Sequence, residues 1–254
     1  MSGWNKLEKK LTSGKLLVLM DYDGTLTPIV ERPEKATLSP DVRRILSQLL
    51  KHYPTAVISG RSLKDIRILV GLRKIYYAGN HGLEIDGPGL KLVKPEAKKM
   101  ASTLGKICID LKSELGNIDG VIVEDKGLTA SVHYRLVARR KLRNLKRIFT
   151  RITKPYLDSG KIKIVRGKKV LEIRPNIDWD KGKAVLWIID AIKPKGGALP
   201  IYLGDDETDE DAFRALRGKG ITILVSNSPR KSNAEYFLKN VDEVKAFLEK
   251  LISK

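Results

Sequence analysis

Two aspartates, Asp21 and Asp23, stand one residue apart at the end of an unbroken apolar run in "LLVLMDYDGTLTPI". A strand that buries both faces has no use for carboxylates, so their place at its carboxyl end points to chemistry. Three further polar clusters share that setting. Ser59-Gly60-Arg61 closes the run "TAVIS", Asp205 and Asp206 follow "IYLG" with Asp209 close behind, and Lys181 opens a helix after "EIRPNIDWD". Phosphoryl transfer assisted by a hard cation needs this set. Asp21, Asp23 and Asp205 offer oxygen ligands to Mg²⁺. One carboxylate can attack phosphorus and form an aspartyl-phosphate, while a second protonates the leaving oxygen and later deprotonates water. Ser59 can hydrogen-bond a phosphoryl oxygen, and Lys181 can neutralise charge that builds up in the transition state. The Gly-x-x-x-x-Gly-Lys-Ser/Thr loop is absent, which sets aside P-loop nucleotide chemistry.

The elements that must hold these residues follow from periodicity. "KLLVLM" reads as a buried strand and "SPDVRRILSQLLKHY" as a helix. Ser39 caps it, Pro40 takes its first position, and Val42, Ile45, Leu46, Leu49 and Leu50 form one stripe. "TAVIS" is the next strand, Ser62 caps "LKDIRILVGL", "KIYYAG" is a third strand, and Gly87-Pro88-Gly89 marks a turn. Residues 95–174 change rhythm to helix-strand-strand, repeated. The strands are "GVIVED", "LTASVHYR", "KIKIVRG" and "KVLEIRP", the second helix is "VARRKLRNLKRIFTRI", and tight turns imply antiparallel pairing. From 175 the alternation of helix and strand returns. The expected organisation is a parallel α/β core from 1–94 and 175–254, interrupted at 95–174 by a small antiparallel domain with two helices.

Composition narrows the field. A single cysteine, Cys108, excludes an intramolecular disulfide and any Cys-rich metal cluster. The first apolar run is too short for a signal-peptide core and no run reaches ~20 residues, so a cytoplasmic protein without a membrane span is expected. Net charge is +19, concentrated between Arg135 and Arg174, where fifteen Lys or Arg face only Asp158 and Glu172. Such a segment attracts phosphorylated small molecules or polyanions, or else is a solvated surface of the kind common in heat-adapted proteins.

"DYDGTLTPI", "SGR", "DKG" and "GDDETDED", in that order, resemble the four motifs of the haloacid-dehalogenase-like (HAD) phosphatases. The resemblance implies a Rossmann-like α/β core with a type-two α+β cap inserted between the second and third motifs. It implies Asp21 as nucleophile and Asp23 as general acid/base. It also implies Mg²⁺ on Asp21, the Asp23 carbonyl and Asp205, with Asp206 and Asp209 in support. Lys181 is preferred over Lys183 as the third-motif lysine because "DKG" fits the family pattern. Gly60 and Arg61 join the phosphate pocket. Three more stretches, "GNHGLE", "VEDKGLTASVHYR" and "KKVLEIRP", are similar to the trehalose-6-phosphate phosphatases within that superfamily. By that likeness Asn80 and His81 line the core side of the pocket, while Glu124, Lys126, Arg135, Lys168 and Glu172 hold the distal sugar from the cap. Alternation places Ser131, His133 and Arg135 on one face of their strand.

These positions also have structural readings: Glu124 with Lys126 as a same-face pair, Lys168 with Glu172 as a pair, His81 as a core histidine, and one of the aspartates after "IYLG" as a helix cap. The function expected is hydrolysis of trehalose 6-phosphate, the last step of trehalose biosynthesis, with the substrate supplied by a separate synthase. Mannosyl-3-phosphoglycerate or sucrose 6-phosphate is the alternative substrate. A nucleic-acid-binding module built on the basic segment is the alternative of another class; no known nucleic-acid motif supports it.

Overall fold

The computed structural model describes Leu7, Lys10, Leu11, residues 14–192 and residues 197–253. In it, Leu16–Met20 form strand β1, with every side chain buried. Leu16, Val18 and Met20 pack into one apolar cluster and Leu17 and Leu19 into another, one on each face of the sheet. Each such aliphatic side chain contributes roughly 1.5–3 kcal/mol on burial. The strand lies between β2 (Thr55–Ile58) and β10 (Leu199–Gly204), parallel to both. Helices α1 (Pro40–His52), α2 (Leu63–Val70) and α7 (Val241–Ile252) cover the first face, while α5 (Lys181–Ile192) and α6 (Asp209–Ala215) cover the second. Ser39 and Ser62 cap α1 and α2 by accepting from the backbone N–H of Val42 and Asp65, as their positions in the sequence predict. Leu50 is the stripe residue of α1 that stays only partly buried.

The large sheet has eight strands in the order β12-β11-β10-β1-β2-β3-β4-β5, with β3 at Tyr76–Gly79 and β11 at Ile221–Val225. Three of them are missing from the sequence reading: β4 (Glu84–Gly87), β5 (Leu90–Val93) and β12 (Tyr236–Leu238). All are short and partly exposed: the alternation in Leu90–Val93 and the apolar run Tyr236–Leu238 are only four and three residues long, too brief for periodicity to resolve. The turn expected at Gly87-Pro88-Gly89 joins β4 to β5. Strand order reverses between β1 and β10, and such a switch point opens a crevice at the strands' carboxyl ends.

The chain divides into two compact units, one up to Leu92 and from Trp179 onward, the other Val93–Asp178. The second unit has its own core. Its sheet runs β6-β7-β9-β8, all antiparallel, from β6 (Ile122–Asp125), β7 (Ala130–His133), β8 (Ile162–Gly167) and β9 (Val170–Pro175). Ala130, Val132, Leu171 and Ile173 on one face pack against α3 (Pro95–Leu115) and α4 (Leu142–Asp158), which contribute Leu104, Ile107, Leu145 and Phe149.

Helix α4 starts later than its apolar period suggests, because Arg139–Lys141 form a 3-10 turn and no side chain caps the first turn. Its charges are set against it. The first turn has no acid, and Arg139, Arg140, Lys141 and Arg143 crowd the N-terminal end, where a cation costs about 0.3–1 kcal/mol. The i,i+4 pairs Arg143–Arg147 and Arg147–Arg151 repel by about 0.2–0.5 kcal/mol each. Among the described residues no helix is long and apolar enough to cross a membrane.

Candidate active site

Asp21 follows β1 directly and is anchored by its N–H donating to the Leu203 carbonyl of β10 at 2.9 Å. Asp205 follows β10 in the same way, and Lys181 is the first residue of α5. Carboxylate oxygens of Asp21, Asp205 and Asp209 lie within 4.8 Å of one another, all buried. The Lys181 ammonium sits among them and donates to Asp21 Oδ1 and Asp209 Oδ1, each at 2.7 Å. Lys183 lies two residues further along α5, and its backbone N–H donates to Asp180 Oδ1.

Asp209 is saturated. Its Oδ1 accepts from Lys181 and from the Tyr202 hydroxyl at 2.7 Å, and its Oδ2 from the backbone N–H groups of Asp205 and Asp206 at 2.8 and 3.0 Å. With four donors on its lone pairs, Asp209 acts as the clamp that fixes the Asp205 loop and aims Lys181. Asp21 and Asp205 complete the buried trio of converging carboxylates. Asp206 braces the turn that leads into α6, where Thr208 holds the cap position: its Oδ1 accepts from the N–H and hydroxyl of Thr208 and from the Asp209 N–H. Tyr202 gave no signal in the sequence, since an aromatic in an apolar strand reads as core. Removing its hydroxyl in Tyr202→Phe is expected to cost about 1.5–3 kcal/mol of stability, since the lost bond is to a charged group. Turnover should fall several-fold with KM little changed; thermal unfolding and steady-state kinetics check both.

Electrostatics follow from this packing. Burial pushes the Asp21 carboxyl well above the ordinary range; Lys181 opposes that, and repulsion from Asp209, Asp205 and Asp206 adds to it. Asp209 is raised too, first by burial. Burial alone would lower the Lys181 ammonium, but Asp209 and Asp21 outweigh it and hold the lysine protonated. Burial also works against the Asp206 anion, yet Lys181 and Thr208 bring it below the usual carboxylate value. Four carboxylates thus surround one ammonium. That excess of negative charge, held on hard oxygen donors, suits a divalent cation. The backbone leaves room beside it: Gly24 has φ +89°, and a Cβ there would fall 2.2 Å from Asp205 Oδ2, so the turn after Asp23 needs glycine.

The Asp23 carboxylate is turned to Arg61. The guanidinium grips it through Nε at 2.8 Å and Nη2 at 2.7 Å, donates to the Pro33 carbonyl, and rests 5.5 Å over the Tyr22 ring. Arg61, expected on the phosphate, therefore holds the second aspartate of the motif. The Ser59 hydroxyl accepts from the Arg61 N–H at 3.1 Å. Asn80 and His81 both take left-handed backbone, φ 50° and 57°, in a tight turn whose N–H groups donate to the carbonyls of Arg61 and Ser59. That turn presses the His81 ring against Gly60, where a Cβ would fall within 2.7 Å of it. The Asn80 amide donates to Glu84 Oε1.

In the smaller unit, register places Glu124, Ser131 and Glu172 side by side across β6, β7 and β9, on the face away from the helices. Lys126, just past the end of β6, places Nζ 3.5 Å from Glu172 and 3.9 Å from Glu124, so it bridges the two carboxylates from the turn rather than pairing with Glu124 along a strand face. His133 Nε2 meets Glu124 at 2.9 Å. Glu172 meets Lys126 and Arg174, whose Nε donates at 2.9 Å. Same-face spacing on β9 brings in Arg174, whereas Lys126 reaches in from the turn after β6. Arg135 lies beyond the end of β7, so strand alternation does not govern it; its guanidinium donates to the Lys168 carbonyl at 2.8 Å. The Ser131 hydroxyl is buried in this charged face without a hydrogen-bond partner.

Residues 19–242 match the family described as trehalose-phosphatase. The chain belongs to the trehalose-phosphatase family. Members similar to it include trehalose-phosphate phosphatase B of Arabidopsis thaliana, 37% identical over 253 residues that cover 94% of this chain and 67% of that protein. Among solved structures, the C-terminal domain of Candida albicans trehalose-6-phosphate phosphatase superposes with a TM-score of 0.82 at 23% identity, covering 100% of this chain and 97% of that one. A haloacid dehalogenase-like hydrolase from Bacteroides thetaiotaomicron superposes at 0.64 with 16% identity, covering 94% and 100%. Both structures share the fold, so this trehalose-phosphatase family chain has the HAD-like α/β core that its four motifs resemble.

Proposed function

We propose that this chain is a Mg²⁺-dependent phosphatase that hydrolyses trehalose 6-phosphate to trehalose and phosphate. The observation that carries the chemistry is Lys181 bridging Asp21 and Asp209 beside Asp205 at the sheet's switch point. Asp21 is the nucleophile: its carboxylate oxygen bonds to phosphorus as the bond from phosphorus to the sugar oxygen breaks. Asp23 gives its proton to that leaving oxygen, then takes one from the water that cleaves the aspartyl-phosphate. Lys181 and Ser59 stabilise the phosphoryl oxygens, and Arg61 positions Asp23. Asp21 and Asp205, with the Asp23 carbonyl, would hold Mg²⁺, which supplies charge neutralisation on the phosphoryl group.

For the substrate, Asn80 and His81 are assigned to the core side of the pocket, and Glu124, Lys126, Arg135, Lys168 and Glu172 to the sugar. Charge-assisted hydrogen bonds orient a polyhydroxylated ligand well. The buried, unpartnered Ser131 hydroxyl among those charges supports a ligand that brings hydroxyls of its own. A separate trehalose-6-phosphate synthase as supplier and a cytoplasmic setting complete the reading.

Phosphate release from trehalose 6-phosphate, glucose 6-phosphate, sucrose 6-phosphate and mannosyl-3-phosphoglycerate, each with Mg²⁺ and with EDTA, tests it. Strong preference for trehalose 6-phosphate, lost in EDTA, is expected. Equal release from all four would discard the sugar assignments and keep the core chemistry, and no release from any would discard both.

A further inference from the structure

The smaller unit carries twenty-one Lys or Arg against nine Asp or Glu between Val93 and Asp178. The imbalance is sharpest on α4. Its apolar stripe of Leu145, Phe149 and their neighbours faces the sheet, which leaves Arg143, Lys146, Arg147, Arg151 and Lys154 on the outside, continued by Arg139 and Arg140 in the preceding turn. Some of this charge is answered locally: Arg151 meets Glu114, Lys154 meets Asp158, and Lys141 meets Asp119. Arg139, Arg140, Arg143 and Lys146 form no ion pair with a carboxylate among the described residues. These four are also where the helix is least suited to cations, at and near its N-terminal end, and they repel one another. A local rule broken without compensation inside the fold marks a surface whose compensation comes from outside.

We infer that the outward face of α4 docks the phosphate backbone of a nucleic-acid duplex. Charge complementarity gives the sign of the partner, and other features of the face narrow its class. Three of the four open cations are arginines, whose planar fork matches phosphate oxygens. The exposed residues of α4 include no large apolar side chain that could enter a bilayer, and the exposed large hydrophobics of this unit, Val93, Ile109 and Leu136, lie off the helix. The exposed face has no aromatic on which unpaired bases could stack, which favours duplex backbone over single strands. At 1.5 Å per residue the helix is a rod of about 25 Å, long enough to meet several phosphates. Binding would be independent of sequence, and the face lies across this unit's sheet from Glu124, Ser131 and Glu172.

Fluorescence anisotropy with a labelled 20-base-pair RNA duplex tests this on the full chain. Wild type is expected to bind at 50 mM KCl and to weaken about 100-fold at 200 mM, as release of counterions from roughly four phosphates requires. R139E/R140E/R143E/K146E should bind at least about tenfold more weakly while keeping its phosphatase activity, and should unfold at a higher temperature. K51E/K64E/R73E/K74E makes the same change in net charge on the other unit, at exposed positions, and should bind within about threefold of wild type. R139Q/R140Q/R143Q/K146Q, a milder set, guards against misfolding of the first variant. Equal loss in the two Glu variants would overturn the inference, because net charge alone would then explain binding. So would absence of duplex binding at 50 mM KCl, or binding to phosphatidylserine vesicles but not to RNA.

Discussion

Asp21→Asn is expected to remove turnover of trehalose 6-phosphate, by about 10⁴-fold or more, while making the metal-free protein more stable at neutral pH. The first effect follows from the loss of the attacking oxygen. The second follows from burial, which raises the Asp21 carboxyl well above its ordinary value, with Asp209, Asp205 and Asp206 adding repulsion. A carboxyl whose pKa is raised on folding binds its proton more tightly in the folded state. Stability therefore falls as pH climbs from the unfolded value near 4 through the folded one, and the full cost is present above that window. Asparagine carries no such cost, and Lys181 keeps Asp209 as partner. In EDTA at pH 7.5 the variant should melt above wild type, and the gap should close toward pH 4. Near-normal turnover in the variant would show that Asp21 is not the nucleophile. A lower melting point at pH 7.5 would show that the carboxylate is stabilising where it stands.

Lys181→Met should act in the opposite direction on stability and in the same direction on activity. The ammonium is buried between Asp21 and Asp209, and its removal leaves both carboxylates without the charge that permits their burial. Breaking a buried pair on one side costs about 3–5 kcal/mol. Turnover should drop by about 10²–10³-fold, the scale seen when one transition-state donor is lost. The two effects are coupled, so adding Asp21→Asn to Lys181→Met should recover part of the lost stability. Lys183→Met, two residues on along the same helix, should retain most of its turnover. If Lys183→Met were the damaging change and Lys181→Met the mild one, the lysine of the third motif would have to be reassigned.

Arg61 shows how packing redirects a residue whose type is clear from the sequence. A Ser-Gly-Arg triplet at a strand end suggests three groups aimed at one phosphate. In the fold the guanidinium is spent on Asp23 and on the Pro33 carbonyl, with the Tyr22 ring beneath it. That arrangement gives Arg61 a positioning role toward the second aspartate. The sheet face of the smaller unit makes the same point: Glu172 is two residues from Arg174 in sequence and two strands away from Glu124, and only the register of β9 against β7 brings these charges into one network.

The sequence by itself determined whatever depends on short-range physics. The apolar run before Asp21, the serine caps of α1 and α2, the double helix-strand-strand rhythm and the order of the four motifs all follow from residues within a few positions of one another. Tertiary structure decided which of the well-placed carboxylates converge and what each one does. Asp21 and Lys181 are 160 residues apart, and Asp23 and Arg61 are 38 apart. The clamp on Asp209 needs a tyrosine that reads as ordinary core. The marginal strands β4, β5 and β12 exist because a neighbouring strand supplies hydrogen bonds that their own side chains do not announce. Periodicity and capping act within a turn or a strand, whereas ion pairing and burial act through space, and the chain path that joins the two is set by the packing of the whole sheet.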